Sequence, residues 1–361
     1  GEVKAQTGST INVSQPVQVT DNQYYERGQS IVYDGANYWL FYGRSVSETG
    51  NYQDGVPDIN DYAIYYKKAS SVPGLAGTTA VALPEAINCY MGETGAVVLD
   101  GKIWAFCSQD ISGDGQLYGY YTDDGGANWN TVANMAAGMS TGAAHHDEVA
   151  FDGKLFVMVN NPDSLSGWYT KYTEDPESNN GWSSYVPLDG TANLVNGTGH
   201  FFVDGSELYI GILRTNPTRD NKILQYNSNL DSWTELGTAS SSGWDGTLFK
   251  VGGEYVFAQA PWVNEGGGRQ YIYAWTGTSP EYVLDGFPNM VSEAKYGDNT
   301  WTEMWPIGFT DAGGDSYLFI TSERDQPDQE GTGNIWYLKV DWDTKQEHYT
   351  YIQNAIDAAI D

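Results

Sequence analysis

Residues 26–68 read ERGQSIVYDGANYWLFYGRSVSETGNYQDGVPDINDYAIYYKK, and this stretch decides the fold. Three short runs inside it, Ser30 to Tyr33, Tyr38 to Tyr42 and Tyr62 to Tyr66, are rich in Tyr, Phe, Trp, Val and Ile, with Asp34-Gly35 between the first two. Such side chains suit a pleated, half-buried surface, and Asp-Gly supplies the turn of a tight hairpin. The stretch therefore predicts strand, turn, strand, acidic loop, strand. The same turn between apolar runs returns as DGKIWAFC at Asp100, DGKLFVMV at Asp152, DGSELYIGI at Asp204, GGEYVFAQ at Gly252 and GGDSYLFI at Gly313. Six copies of one multi-stranded unit predict an all-β fold, a six-bladed β-propeller, with five blades as the alternative.

Working outward, the blades run to about Asn88, Met139, Leu188, Thr238, Met290 and Trp342. Residues 1–10 read as a flexible leader and residues 11–345 as one propeller domain. Ile11 to Thr20, INVSQPVQVT, is a strand without a hairpin partner. Val17-Gln18-Val19 is expected to complete the last blade and so remove exposed sheet edges. In the tail, residues 346–361, the period changes. Tyr349, Ile352, Ile356 and Ile360 fall at helical spacing and predict a short C-terminal helix.

Composition narrows the partners. The chain carries 17 basic against 47 acidic residues, a net charge of −30, which repels phosphate backbones and excludes nucleic acid. No apolar run approaches the roughly 18 residues of a membrane span, so no membrane insertion is expected. Cys89 and Cys107 are the only cysteines. They lack the spacing of a thiolate metal site and flank the first hairpin of blade two, free or bridged. The leader and a bias toward Tyr, Trp, Gly, Asn and Asp predict a secreted or cell-surface chain.

In a propeller each inner strand starts near the axis, and the loops between second and third strands open on the same face. Counting eight residues back from Gly35, Gly101, Gly153, Gly205 and Gly253 gives Arg27, Glu93, His145, Gly197 and Asp245. Blade six offers Glu303 or Trp305. Charges near an axis must be paired or face a wet funnel, so this column is the candidate site. Glu93, Asp245 and Glu303, with Asp54 or Asp58 of the first acidic loop, supply the carboxylates that glycoside hydrolysis needs as acid and as nucleophile or base. Arg27, Arg44, Arg214 and Arg324 converge from several blades and suit a substrate carboxylate, which a guanidinium fork binds bidentately. Trp244 or Trp305 would stack on a sugar face. His145 in the run His145-His146-Asp147-Glu148 offers a base for the rival reaction, elimination from a uronate. Strand alternation puts His145 and Asp147 on one face and His146 and Glu148 on the other. His200 is expected to be buried in blade four. Asp58 and Asp61 form a candidate calcium site without EF-hand spacing.

One motif carries a family resemblance. Thr122-Asp123-Asp124-Gly125-Gly126-Ala127-Asn128-Trp129 follows the third strand of blade two and resembles the Asp-box of sialidases and related bacterial neuraminidase-repeat propellers. Its aspartate caps a turn, its glycine takes positive φ and its tryptophan packs between blades. Looser echoes occur at Thr173 to Trp182 and Ser228 to Trp233. Blade one is also similar to sialidases: Arg27 begins it, WLFYGRS ends its hairpin at Arg44, and Asp54, Asp58 and Asp61 occupy the next loop. It departs from them in having Gly28-Gln29 where sialidases carry Ile-Pro. The resemblance implies a sialidase-like propeller with a glycan site at its axis. The expected function is a glycoside hydrolase acting on an acidic or decorated oligo- or polysaccharide. The alternatives are a uronate lyase and a non-catalytic glycan-binding or adhesion propeller.

Overall fold

The computed structural model describes residues 11–14, 16–22, 24–46, 62–86, 88–109, 116–135, 146–160, 167–188, 199–214, 220–240, 246–259, 271–276, 279–285, 301–324 and 333–342. The described chain is all-β apart from two short 3-10 turns, Pro73–Gly77 and Tyr90–Gly92, and its sheets form a β-propeller. The leader and the tail expected to be helical lie outside the described residues.

Five sheets are four-stranded antiparallel meanders. Blade one holds Glu26–Tyr33, Tyr38–Ser45, Tyr62–Ala69 and Val81–Ala82. Blade two holds Gly95–Leu99, Lys102–Gln109, Gln116–Thr122 and Asn130–Met135. Blade three holds His146–Phe151, Lys154–Asn160, Trp168–Thr173 and Val186–Pro187. Blade four holds Gly199–Asp204, Glu207–Arg214, Asp220–Asn227 and Ser232–Ser240, and blade five Gly246–Val251, Glu254–Gln259, Tyr271–Thr276 and Ser279–Asp285.

The remaining sheet, the closing sheet, combines Trp301–Thr310, Ser316–Arg324 and Asn334–Trp342 with N-terminal Ile11–Val13 and Val17–Gln18. Ile11 lies opposite Trp342 and Val17 opposite Tyr337, so the expected pairing of the first strand with the last is present.

Six apolar clusters separate neighbouring sheets and complete a circle. Phe41 and Tyr66 meet Ile103 and Tyr120 between blades one and two. Trp104 and Phe106 meet Leu155 and Val157 between blades two and three. The series continues around the ring until Tyr317 and Phe319 of the closing sheet meet Leu40 and Tyr42 of blade one. Trp39, Trp104 and Trp168 are entirely buried in it, each worth on the order of 2–3 kcal/mol. The inner strands also touch in order, and that of the closing sheet contacts those of both blade five and blade one.

The turn chemistry is as the sequence implied. Asp100-Gly101 and Asp152-Gly153 both adopt positive φ, the geometry a two-residue hairpin requires. In blade one the loop is longer, and the Asp34 carboxylate closes it by accepting from the Ala36 and Asn37 amides and, at 2.7 Å, from the Trp39 indole.

Two features shift the column counted from the turn glycines. In blade four Asp204 pairs with Glu207, so Gly205 stands first in its turn, whereas Gly101 stands second, and the equivalent position is 198 rather than Gly197. In blade one a bulge between Arg27 and Ser30 inserts one residue.

Candidate functional site

The site builds from a short segment between blades one and two. Cys89 bridges Tyr62 of blade one and Gln109 of blade two. Its sulfur joins Cys107 in a disulfide, Cα atoms 5.6 Å apart, so the two cysteines are bridged. The chain then turns through Tyr90–Gly92 and delivers Glu93 to the start of the second inner strand.

Three glycines let this segment lie flat on blade one. A β-carbon on Gly28 would fall 2.6 Å from the Glu93 Cα, and one on Gly92, which has a φ of +67°, would meet the Tyr62 ring at 2.7 Å. A β-carbon on Gly43 would strike the backbone of Gly92. The Thr94 amide donates to the Gly28 carbonyl at 3.0 Å and its hydroxyl donates to the same oxygen at 2.5 Å. This clamp places Glu93 beside Arg27, whose Cγ lies 3.0 Å from where a Gly92 β-carbon would stand.

Both charged residues are buried, Arg27 at 5% and Glu93 at 4% exposure. Charges at these positions are expected to be paired or to face a wet funnel. The backbone of Gly92 packs over blade one against Gly43 and the Arg27 side chain, and both charged residues lie out of bulk water.

Blade three adds a second group. His146 Nδ1 lies 2.9 Å from Glu148 Oε1, and both side chains are wholly buried. His146 Nε2 and Glu148 Oε2 have no hydrogen-bond partner among the described residues. Burial pushes the Glu148 carboxyl up, against the pull of His146. For His146 burial disfavours the charged ring, but the Glu148 carboxylate outweighs it, with Glu93 and Asp147 adding to the same side, and the net shift is upward. Both directions describe one proton held by the pair.

On the other face of that strand Asp147 Oδ2 accepts from the Phe201 amide at 2.6 Å and its Oδ1 lies 3.8 Å from His200 Nδ1. His200, expected to be buried, is mostly covered: 14% of its side chain is exposed and both ring nitrogens are buried. An axial cavity of about 350 Å³ runs past these residues, and every inner strand lines it, including Ser30, Val97, Asp147, His200, Thr247 and Phe309.

Arg44, expected as a substrate ligand, is engaged within the protein. Its Nε donates to Glu26 Oε1 at 2.7 Å, its Nη2 lies 2.6 Å from the same oxygen, and its guanidinium sits 4.1 Å over the Tyr65 ring. Glu26 is fully buried, and its carboxyl is pushed up by burial in spite of Arg44.

Arg27 and Glu93 are therefore brought together, and Arg44 lies one residue aside at the same end of blade one. Glu303 pairs with Ser322, Arg324 with Trp301, Arg214 with Asp220, and Trp305 falls at a bulge between Met304 and Ile307. Asp54, Asp58, Asp61, His145, Trp244 and Asp245 lie outside the described residues. Among the described residues no cluster of three or more His, Cys, Asp or Glu suited to a metal occurs, and no helix is long and apolar enough to cross a membrane.

Sequence reasoning missed two partners. The Glu26 and Arg44 pair was legible from their opposed positions across the first hairpin. Alternation put His146 and Glu148 on one face, yet nothing local marked Gly95 as the space that receives Glu148.

No protein-family model and no curated protein matches the chain. Solved structures do share its fold. A Dyadobacter fermentans protein of unknown function superposes with a TM-score of 0.59 at 12% identity, covering 92% of this chain and 99% of that one. The parainfluenza virus 5 hemagglutinin-neuraminidase ectodomain gives 0.56 at 10% identity, covering 92% and 86%. The Trypanosoma rangeli sialidase, in complex with the inhibitor DANA, gives 0.56 at 9% identity; this chain is covered to 96% and spans 62% of that longer one. At these identities the likeness is one of fold.

Proposed function

We propose that this chain is a carbohydrate-active enzyme, a glycoside hydrolase that works on an acidic or decorated glycan at the axial mouth of the propeller. The observation that carries this reading is the clamp that seats Glu93 beside Arg27, a carboxyl and a guanidinium from two blades in a low-dielectric setting. A guanidinium there pairs with a substrate carboxylate, and its attraction is stronger than in water. Glu93 then either protonates the departing glycosidic oxygen as general acid or takes a proton from the attacking water as general base. The second carboxylate comes from the first acidic loop, Asp54 or Asp58, or from Asp245 or Glu303. Trp244 or Trp305 stacks on a sugar, and Arg214 and Arg324 extend the carboxylate-binding rim. Similarity of fold to the sialidase and the hemagglutinin-neuraminidase supports a glycan ligand.

We read the closing sheet as the sixth blade of a six-bladed ring, residues 11–345 as one domain, Thr122–Trp129 as an Asp-box, and the protein as secreted or cell-surface, with Asp58 and Asp61 as a calcium site. A second reading, elimination from a uronate by a histidine base, is favoured by the buried pair of His146 and Glu148, which provides an imidazole beside a carboxylate next to His145.

The test is incubation with acidic and neutral polysaccharides in the presence of calcium, reading reducing ends and the absorbance of unsaturated uronates. New reducing ends without that absorbance, lost in Glu93→Gln and in Arg27→Ala, support hydrolysis. Absorbance that rises with them and vanishes in His145→Ala moves the assignment to the lyase. Glycan binding without turnover assigns the chain to the non-catalytic class.

A further inference from the structure

A second cavity lies at the opposite end of blade four, on the side of the hairpin turns. It measures about 330 Å³ and is lined by Phe151, Ser206, Glu207, residues 225–229 and Thr234. That is at the lower end of the range for small-molecule sites, about 300–1,000 Å³.

The chemistry of its wall is unusual for this protein. In a chain of net charge −30 the lining carries one ionisable acid, Glu207, and that carboxylate accepts from Gln225 Nε2 at 2.6 Å. The other polar groups are hydroxyls and amides, which offer donors and acceptors together, as sugar hydroxyls do. Two rings complete it. Tyr226 stands 6.5 Å from Phe151 at 88° and 5.2 Å from Trp233, so it is held on two sides. Its hydroxyl donates to Asp231 Oδ1 at 2.6 Å.

The turn that forms the rim explains why the space exists. Aligned on Trp129 and Trp233, the residue of blade four that corresponds to Asp124 is Ser228. In blade two Asp124 fills its own turn, accepting from the Thr122 hydroxyl and from the Asn128 amide and side chain. In blade four the cap moves to Asn227, whose Oδ1 accepts from the Asn229 and Leu230 amides. Ser206, Ser228, Asn229 and Thr234 are left with side chains that make no hydrogen bond to another described residue.

We propose that this cavity is a binding site for a neutral sugar unit of a glycan, separate from the axial mouth. Hydroxyls of the sugar pair with the Asn229 side-chain carboxamide and with Ser206, Ser228 and Thr234, while Phe151 and Tyr226 supply the apolar part of the wall. With no cation in its wall and the Glu207 carboxylate as its charged group, the cavity selects against uronates and sialic acids, which the mouth would take. The site stands whether or not the mouth is catalytic.

The test reads binding and not turnover. The full chain is titrated with cellohexaose, xylohexaose, mannohexaose and maltohexaose by calorimetry and by amide NMR. We expect at least one to bind, to shift the amides of Ser206, Asn229 and Thr234, and to lose affinity about tenfold in Asn229→Ala and in Thr234→Val, both surface changes that leave the fold intact by circular dichroism. Binding unchanged in both variants, binding abolished only by Arg27→Ala, or no binding of any of the four would each overturn the proposal.

Discussion

Glu148 Oε2 occupies the place where a β-carbon on Gly95 would stand, so the inner strands of blades two and three are fitted to each other through the absence of one side chain. The carboxyl is fully buried, and the backbone of Gly95 has no room to retreat because it belongs to the inner strand. Gly95→Ala should therefore cost about 1–3 kcal/mol by overpacking. The companion is Gly95→Ala with Glu148→Ala, in which the two costs should fail to add because the second change removes the obstacle. Urea denaturation of the two singles and the double decides it; strict additivity would mean the contact is not the cause.

The same pair predicts a pH dependence. At neutral pH the folded pair of His146 and Glu148 holds a proton that the unfolded chain, with an ordinary glutamate and an ordinary histidine near 6.5, has largely released. The stabilisation is fully present below that value, and it fades as pH rises through the raised value of the folded pair. In His146→Gln the slope over this interval should flatten. Denaturation midpoints measured across neutral and mildly alkaline pH check it, and an unchanged slope would remove the pair from the account.

Arg44 and Glu26 form an ion pair in which the acid is fully buried. Taking away one partner leaves the other charge uncompensated, so Arg44→Met should cost about 3–5 kcal/mol. Joining it with Glu26→Gln should restore most of the loss. Should Arg44→Met instead keep its stability and lose glycan binding, Arg44 would return to the list of substrate ligands.

The bridge between Cys89 and Cys107 closes a loop of moderate length, and replacing both cysteines by serine should lower stability by about 3 kcal/mol. Both residues are wholly buried, so a reductant should act slowly on the folded protein and quickly once denaturant is present. Since the bridge anchors the segment that carries Glu93, activity or ligand affinity should fall further than global unfolding alone explains when assayed well below the melting temperature.

The repeat was legible because its signals are local. Asp100-Gly101 and Asp152-Gly153 declare positive φ within two residues, and the apolar runs on either side declare their strands. Thr122 to Trp129 was likewise readable, since Asp124 reaches only its own turn; those hydrogen bonds hold its carboxyl down to about 2. What was not legible depends on how blades meet. Arg27 and Glu93 look like funnel residues when counted along strands, yet Gly28, Gly43 and Gly92 bring a neighbouring segment over them. Glu148 reads as one more acid in an acidic chain until Gly95 is placed against it. Counting from turn glycines also assumes identical turns, and Gly205 and the bulge after Arg27 break that assumption.

The pairing of Ile11 with Trp342 and of Val17 with Tyr337 sets the order in which the molecule can assemble. Each meander can form from neighbouring residues as it leaves the ribosome. The closing sheet can do so only for its three consecutive strands, because its remaining two, Ile11–Val13 and Val17–Gln18, pair with Asn334–Trp342 across more than three hundred positions. Such distant contacts carry the largest loop-closure entropy and form last. Until then Asn334–Trp342 presents an unpaired edge, the feature most prone to capture by another chain. The ring clasp is thus both the final step of folding and the interval in which aggregation competes with it.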